Sequence, residues 1–372
     1  MMVKAFTRIA ALVLLFAAAT PRLAAQGPGG ALGFVDTGAL VVLSGGGAEA
    51  LLIDPATRTI LGRFPTGPDP REVAVSPDGR YAYITSYGWQ PTRAVRTGDR
   101  GEGIAYWDAA SRDIATSGRA VTVLDLAERS VHAVFQPGTY RNLQGIRVGK
   151  DGRRIWMTAE QDSAIVEVDA ATGDVLMLWK TGGANPNSLT ITRDNRRLFV
   201  ANSGSDYLTM IDRVTVVPSR ITTGPNPEGL ALSRAEKELW VANGGDHTIS
   251  VIDTRRLREI ARFPSGGSGP TRVAFNPAGN EVWVSHAGSR EVVILDVVSA
   301  AILDRIPFDA EPRSIAFSAS GAAAFVSAPQ RHQVYVIDAG TREIVDTLEA
   351  GSLPSGIAWG AQQHVPPRGS GR

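Results

Sequence analysis

The chain has no cysteine, which excludes a disulfide framework, thiolate metal ligation, a cysteine nucleophile and attachment through a lipid-modified cysteine. Lysine is scarce too. Lys4, Lys150, Lys180 and Lys237 are its four lysines, and the remaining basic residues are arginines scattered among acids. Nucleic-acid binding requires basic groups gathered on one face, so no nucleic-acid partner is expected. The five histidines show no His-x-His or HExxH spacing, and no GxSxG elbow occurs. No metal and no cofactor are therefore expected, and a metal site could arise only by assembly across distant segments.

Long hydrophobic runs are also missing, with one exception. Ile9 to Ala19 is uninterrupted and apolar, is preceded by Lys4 and Arg8, and is too short to span a bilayer comfortably. It reads as a secretory signal covering residues 1–25, cleaved after Ala25. Without that segment the formal charge moves from +1 to −2, with 35 basic against 37 acidic residues. A periplasmic or secreted protein with no stable membrane anchor is expected.

What the sequence does contain is a repeat. Apolar runs of alternating pattern end in an aspartate at Asp54, Asp125, Asp169, Asp212, Asp253, Asp296 and Asp338, spaced 71, 44, 43, 41, 43 and 42 residues apart. Period-two alternation punctuated by Gly, Pro, Asn and Asp excludes helical repeats of similar length. A period near 42 residues is that of a propeller blade. Residues 225–263 display one unit: GPNPEGLALS, ELWVAN, TISVID and REIARF as inner, second, third and outer strands. Asp-Gly pairs in SPDGR (76–80) and KDGR (150–153) mark the first turn, and the recurrent aspartate caps the turn after the third strand. The fold class is an all-β, seven-bladed propeller over residues 32–360. Residues 39–64 supply three strands of the first blade and SLPSGIAW (352–359) supplies its inner one. The last twelve residues, 361–372, read as a disordered tail.

LFVAN (198–202), LWVAN (239–243), the VID endings, SPDGR and TGPNP (223–227) together resemble the YVTN-repeat family of exported bacterial and archaeal seven-bladed propellers, over nearly the whole mature chain. Segments 156–159 and 283–286 depart from that strand ending. The wider propeller group implies two further roles, a lactonase- or lyase-type enzyme or an accessory of a periplasmic quinone-dependent dehydrogenase.

Chain direction gathers the variable loops on one face. The extra 29 residues between Asp54 and Asp125 form an insertion, residues 87–118, on that face, where Trp89 and Trp107 are candidate ligand contacts. The inner strands begin near Arg71, Gln144, Asn187, Glu228, Thr271, Arg313 and Ser355, which form a polar ring around the channel. Glu72 and Arg272 follow one step in, between glycines 145, 229 and 356 that leave room. Arg71 and Arg313 could hold an anion, or the charged residues could neutralise one another around water. If the protein is an enzyme, His286 with Glu228 or Glu72 is the candidate proton-transfer pair. The leading expectation is a monomeric, non-catalytic binder of a small anionic ligand or a protein partner.

Overall fold

A computed structural model describes residues 33, 36–88 and 119–360. The expected signal, Trp89 and Trp107 with the rest of residues 89–118, and the tail lie outside the described residues. Seven four-stranded antiparallel sheets follow one another, each inner strand lying beside the next around a central channel. Among the described residues no helix is long and apolar enough to cross a membrane.

The inner strands are Pro70–Val75, Leu143–Val148, Pro186–Ile191, Pro227–Leu232, Pro270–Phe275, Ile315–Phe317 and Pro354–Gly360. Six of the seven expected entrance residues are the second residue of their strand, and Arg313 lies just before its shorter one. Proline at a strand's first position fixes φ where no ladder donor is needed. The residue before the inner strand is left-handed in most blades, and Asp69, Asn142, Asn185 and Asn226 are side chains that tolerate this conformation.

Blade 1 is assembled from both ends of the fold. Pro354–Gly360 pairs antiparallel with Ala39–Ser44, which continues into Glu49–Asp54 and Thr59–Pro65. Blades 2 to 7 then follow in chain order. All seven aspartates close third strands, and each accepts backbone N–H groups two and three residues on, as Asp54 does from Ala56 and Thr57. They are turn caps. The Asp-Gly pairs lie in the expected connections, but only the glycine is left-handed, at φ 75° for Gly79 and 69° for Gly152. The connection is thus longer than a two-residue hairpin, because SPDGR spans five residues between its strands.

Second and third strands are apolar on both faces because neighbouring blades cover both. Val123 of blade 2 packs with Ile146 and Val166 of blade 3, and Leu52 of blade 1 packs with Ile84 and Leu124 of blade 2. The core is therefore a set of layers between blades, which leaves the axis free of large apolar side chains at its mouth.

Candidate functional site at the channel mouth

A cavity of about 570 Å³ opens where the inner strands begin. Arg71, Gln144, Asn187, Glu228, Thr271, Arg313 and Ser355 all line it, joined by Arg272 one position deeper. Turns between second and third strands supply Gly45, Gly46, Tyr87, Gly88, Pro329 and Gln330, so strand direction does collect these loops on the channel-mouth face. Tyr87 and Gly88, the first two residues of the expected insertion, thus lie at the cavity.

Four of the seven ring residues are held by the preceding blade. Second-strand hydroxyls donate to ring carbonyls of the next blade: Thr85 to Gln144 at 2.6 Å, Thr158 to Asn187 at 3.3 Å, Ser285 to Arg313 at 2.9 Å and Ser327 to Ser355 at 2.8 Å. Sequence reasoning missed these bonds, although Thr or Ser one residue before the end of a second strand is their signal. The glycines serve a different purpose from the one expected. A Cβ on Gly145, Gly229 or Gly356 would come within 2.5–2.7 Å of a carbonyl oxygen of the next inner strand. They admit the neighbouring backbone rather than leaving room for a ligand.

Every arginine of the ring has a carboxylate partner. Arg71 donates through Nε and Nη2 to Asp69 at 3.1 and 2.7 Å, and its guanidinium lies 4.7 Å from the centre of the Tyr87 ring. Arg313 reaches Glu311 at 3.4 Å, and Arg272 pairs with Glu72. Arg71 and Arg313 share the cavity from blades 2 and 7, as expected, while the pairing also realises the neutralising arrangement. The two rim pairs, Arg71–Asp69 and Arg313–Glu311, are half-exposed and contribute about 0–1 kcal/mol each to stability. Their main effect is to aim the guanidiniums. The Tyr87 hydroxyl is pushed up to about 12 by burial and by its hydrogen bond to Glu160, so it stays a neutral donor at the rim. Glu228 lines the cavity with Oε1 accepting from Asn226 Nδ2 at 3.0 Å.

His286 is not brought to Glu228 or Glu72. It is fully buried at the end of its second strand, with Nδ1 3.1 Å from the Val284 carbonyl and Nε2 2.9 Å from Ser265 Oγ. A neutral ring that donates from Nδ1 and accepts at Nε2 satisfies both contacts. Asn202 and Asn243 occupy the same place in blades 4 and 5 and bond to Thr209 Oγ1 and Ser250 Oγ, which shows the role to be structural. His247 and His332 each accept a backbone N–H of the next inter-blade loop, from Gly269 and Leu353.

Burial pushes His286 down to about 4. The folded value lies below the unfolded one near 6.5, so the unfolded chain takes up this proton first as pH falls. The stability contribution is complete above pH 6.5 and declines by roughly 3 kcal/mol on the way to pH 4. Urea unfolding at pH 7 and pH 4.5 is expected to show this decline in the wild type and to show it much reduced in His286→Asn.

Among the described residues no group of three or more His, Asp or Glu side chains is arranged to hold a metal. No curated protein matches the sequence significantly. Solved structures share the fold. A functionally unknown protein from Desulfotomaculum acetoxidans superposes with TM-score 0.71 at 11% identity, covering 88% of this chain and 100% of that one. Kuenenia stuttgartiensis hydrazine synthase gives 0.63 at 17% identity, and the Cps50 (Swd1) β-propeller domain of Myceliophteria thermophila gives 0.63 at 14%, each over 78% of this chain and 90% of the other. At such identities the likeness establishes the propeller alone. The SMP-30/gluconolactonase/LRE-like region matches residues 90–288, more than half of the 372. With seven four-stranded blades around a polar channel mouth, this chain belongs to the SMP-30/gluconolactonase/LRE-like family.

Proposed function

We propose that this propeller binds a small, hydroxyl-rich carboxylic acid or its lactone in the channel-mouth cavity, without chemistry of its own. One observation carries the reading: Arg71, Arg272 and Arg313 line a single cavity against two carboxylates, Asp69 and Glu228, beside a ring of amides and hydroxyls, and no histidine lines it. Two guanidiniums suit an anionic ligand, and the ring of Gln144, Asn187, Thr271 and Ser355 suits its hydroxyls. The ligand class is taken from the gluconolactonase name of the family. The YVTN-like repeat and the apolar run at 9–19 support export to the periplasm or outside the cell.

The test is calorimetric titration of D-gluconate into the mature chain. Charge-assisted bonds contribute about 2 kcal/mol each, so replacing both arginines in Arg71→Ala/Arg313→Ala should weaken binding on the order of a thousandfold. Unfolding curves should be unchanged, since neither pair is buried. Retained affinity in the double variant would overturn the reading.

A second reading, a lactone hydrolase, is favoured by the family and by Glu228. This carboxylate could take a proton from the water that attacks the lactone carbonyl, with the cavity arginines stabilising the oxyanion; collapse breaks the ring C–O bond, and Glu228 returns the proton to the leaving ring oxygen to give the open-chain acid. It predicts acid release from D-gluconolactone above the spontaneous rate in a pH-stat, lost in Glu228→Gln. Unaccelerated hydrolysis leaves the binding reading.

A further inference from the structure

The channel beneath the cavity carries an uncompensated positive charge. Glu72 of blade 2 reaches across the axis to Arg272 of blade 6, with three blades between them on one side and two on the other. Its second oxygen, Oε2, lies 3.8 Å from Nη1 of Arg147, which projects from blade 3. Two guanidiniums thus share one carboxylate. Among the described residues neither arginine has another acidic partner within 4 Å, and Arg147 otherwise donates only to the Ile146 carbonyl, at 2.6 Å.

At the level of Arg147 the inner strands supply no second anion, and Asp69 and Glu228 lie at the rim above. Pairing register places Arg147 opposite Trp156, and the equivalent residues of the other inner strands are Ala74, Thr190, Ala231, Ala274, Ala316 and Ala358. One strand in seven therefore puts a long cation where the rest keep the channel narrow and neutral. The guanidinium of Arg147 is partly enclosed on its inner strand. Burial, partly opposed by Glu72 and reinforced by Arg272, holds it below the usual arginine value, although it stays charged. Enclosed charge of one sign is unfavourable unless an opposite charge joins it. Side-chain exposures of 35% for Arg147 and 27% for Arg272 leave both side chains partly accessible.

We infer that Arg147 and Arg272, tethered by Glu72, form a carboxylate site inside the channel, below the cavity and distinct from the rim arginines. The carboxylate belongs either to a free small acid or to the lower end of a ligand lying in the cavity. Arg272 connects the two levels, because it lines the cavity floor while Arg147 does not. Glu72 holds one guanidinium on each of its oxygens and is the anion with which an entering carboxylate must compete.

The experiment uses acetate, small enough to need nothing from the rim, in thermal-shift and calorimetric titrations of the mature chain in low-chloride buffer at fixed ionic strength. The wild type should be stabilised saturably. Arg147→Met should abolish saturation, Arg147→Lys should weaken it at least fivefold by removing the planar fork, and Arg71→Ala/Arg313→Ala should leave it unchanged. Glu72→Gln, which removes the competing carboxylate, should tighten acetate. Absence of saturable acetate binding in the wild type, or its persistence in a folded Arg147→Met, overturns the site whatever happens to gluconate at the rim. Loss of gluconate binding in the rim double variant, with acetate binding intact, would keep the two proposals separate. Where acetate binds, competition by gluconate assigns the carboxylate to the cavity ligand, and simultaneous binding assigns it to a free acid.

Discussion

A chain that stops at Ser352 is expected to lose its cooperative unfolding transition. Removing Pro354–Gly360 strips the inner strand from blade 1 and leaves Ala39–Ser44, buried at all six positions, as an exposed edge. The ring opens at the same point. Ser355 Oγ donates to the Pro70 carbonyl at 2.7 Å, Ser327 Oγ donates to the Ser355 carbonyl at 2.8 Å, and the Trp359 ring stacks on Phe325 at 5.5 Å. These contacts join blade 1 to blades 2 and 7. A domain's whole margin is about 5–15 kcal/mol, and an uncovered apolar edge also invites pairing with other chains. Circular dichroism melting should become broad and non-cooperative, and light scattering should report association. The milder Gly356→Val, whose Cβ would meet the Arg71 carbonyl at 2.5 Å, should lower the melting temperature while keeping one transition.

Glu167→Val is expected to destabilise the protein by about 3–5 kcal/mol, and the double variant Glu167→Val/Arg213→Ala to regain most of that loss. Glu167 is buried in the third strand of blade 3, with Oε1 accepting from Arg154 at 3.0 Å and from Arg213 at 2.6 Å. Its other oxygen takes Trp179 Nε1 at 3.2 Å. Removing the carboxylate alone leaves Arg213 of blade 4 without its charge partner against blade 3, a greater cost than the pair's own contribution. The molecule already contains the apolar alternative. At the equivalent positions of other blade interfaces, Leu52 packs with Leu126, Val123 with Ala170, Val251 with Val297 and Ile294 with Ala339. A double-mutant cycle by urea unfolding at pH 7 measures the coupling. If both single variants and the double variant lose stability additively, the network is not acting as a unit.

Some of the site was written in the chain. Aligned on their repeat, the inner strands read REVAV, QGIRV, NSLTI, EGLAL, TRVAF, RSIAF and SGIAW, so the polar first letters were legible as a ring. Arg147 is legible too, as the lone long cation in a column of alanines and one threonine. What the letters do not carry is distance across the axis. Glu72 and Arg272 are 200 residues apart, and their pairing depends on how far a seven-membered ring turns, which no local pattern encodes. The mistaken weight on His286 has a similar cause. A histidine ending a second strand looks like a reactive group near a mouth, whereas packing inserts it between blades, where burial keeps it neutral and both nitrogens are engaged.

The sequence by itself determined the blade count, the capping role of the aspartates and the closure of the first blade by the last strand, because these follow from period, alternation and turn chemistry. Only the tertiary structure decided which charges meet. It paired every rim arginine with a carboxylate, reserved the three glycines for backbone contact and left two guanidiniums on one carboxylate in the channel. The reason is physical: strand formation is local, whereas the electrostatics of a channel sum over seven strands drawn from the whole chain.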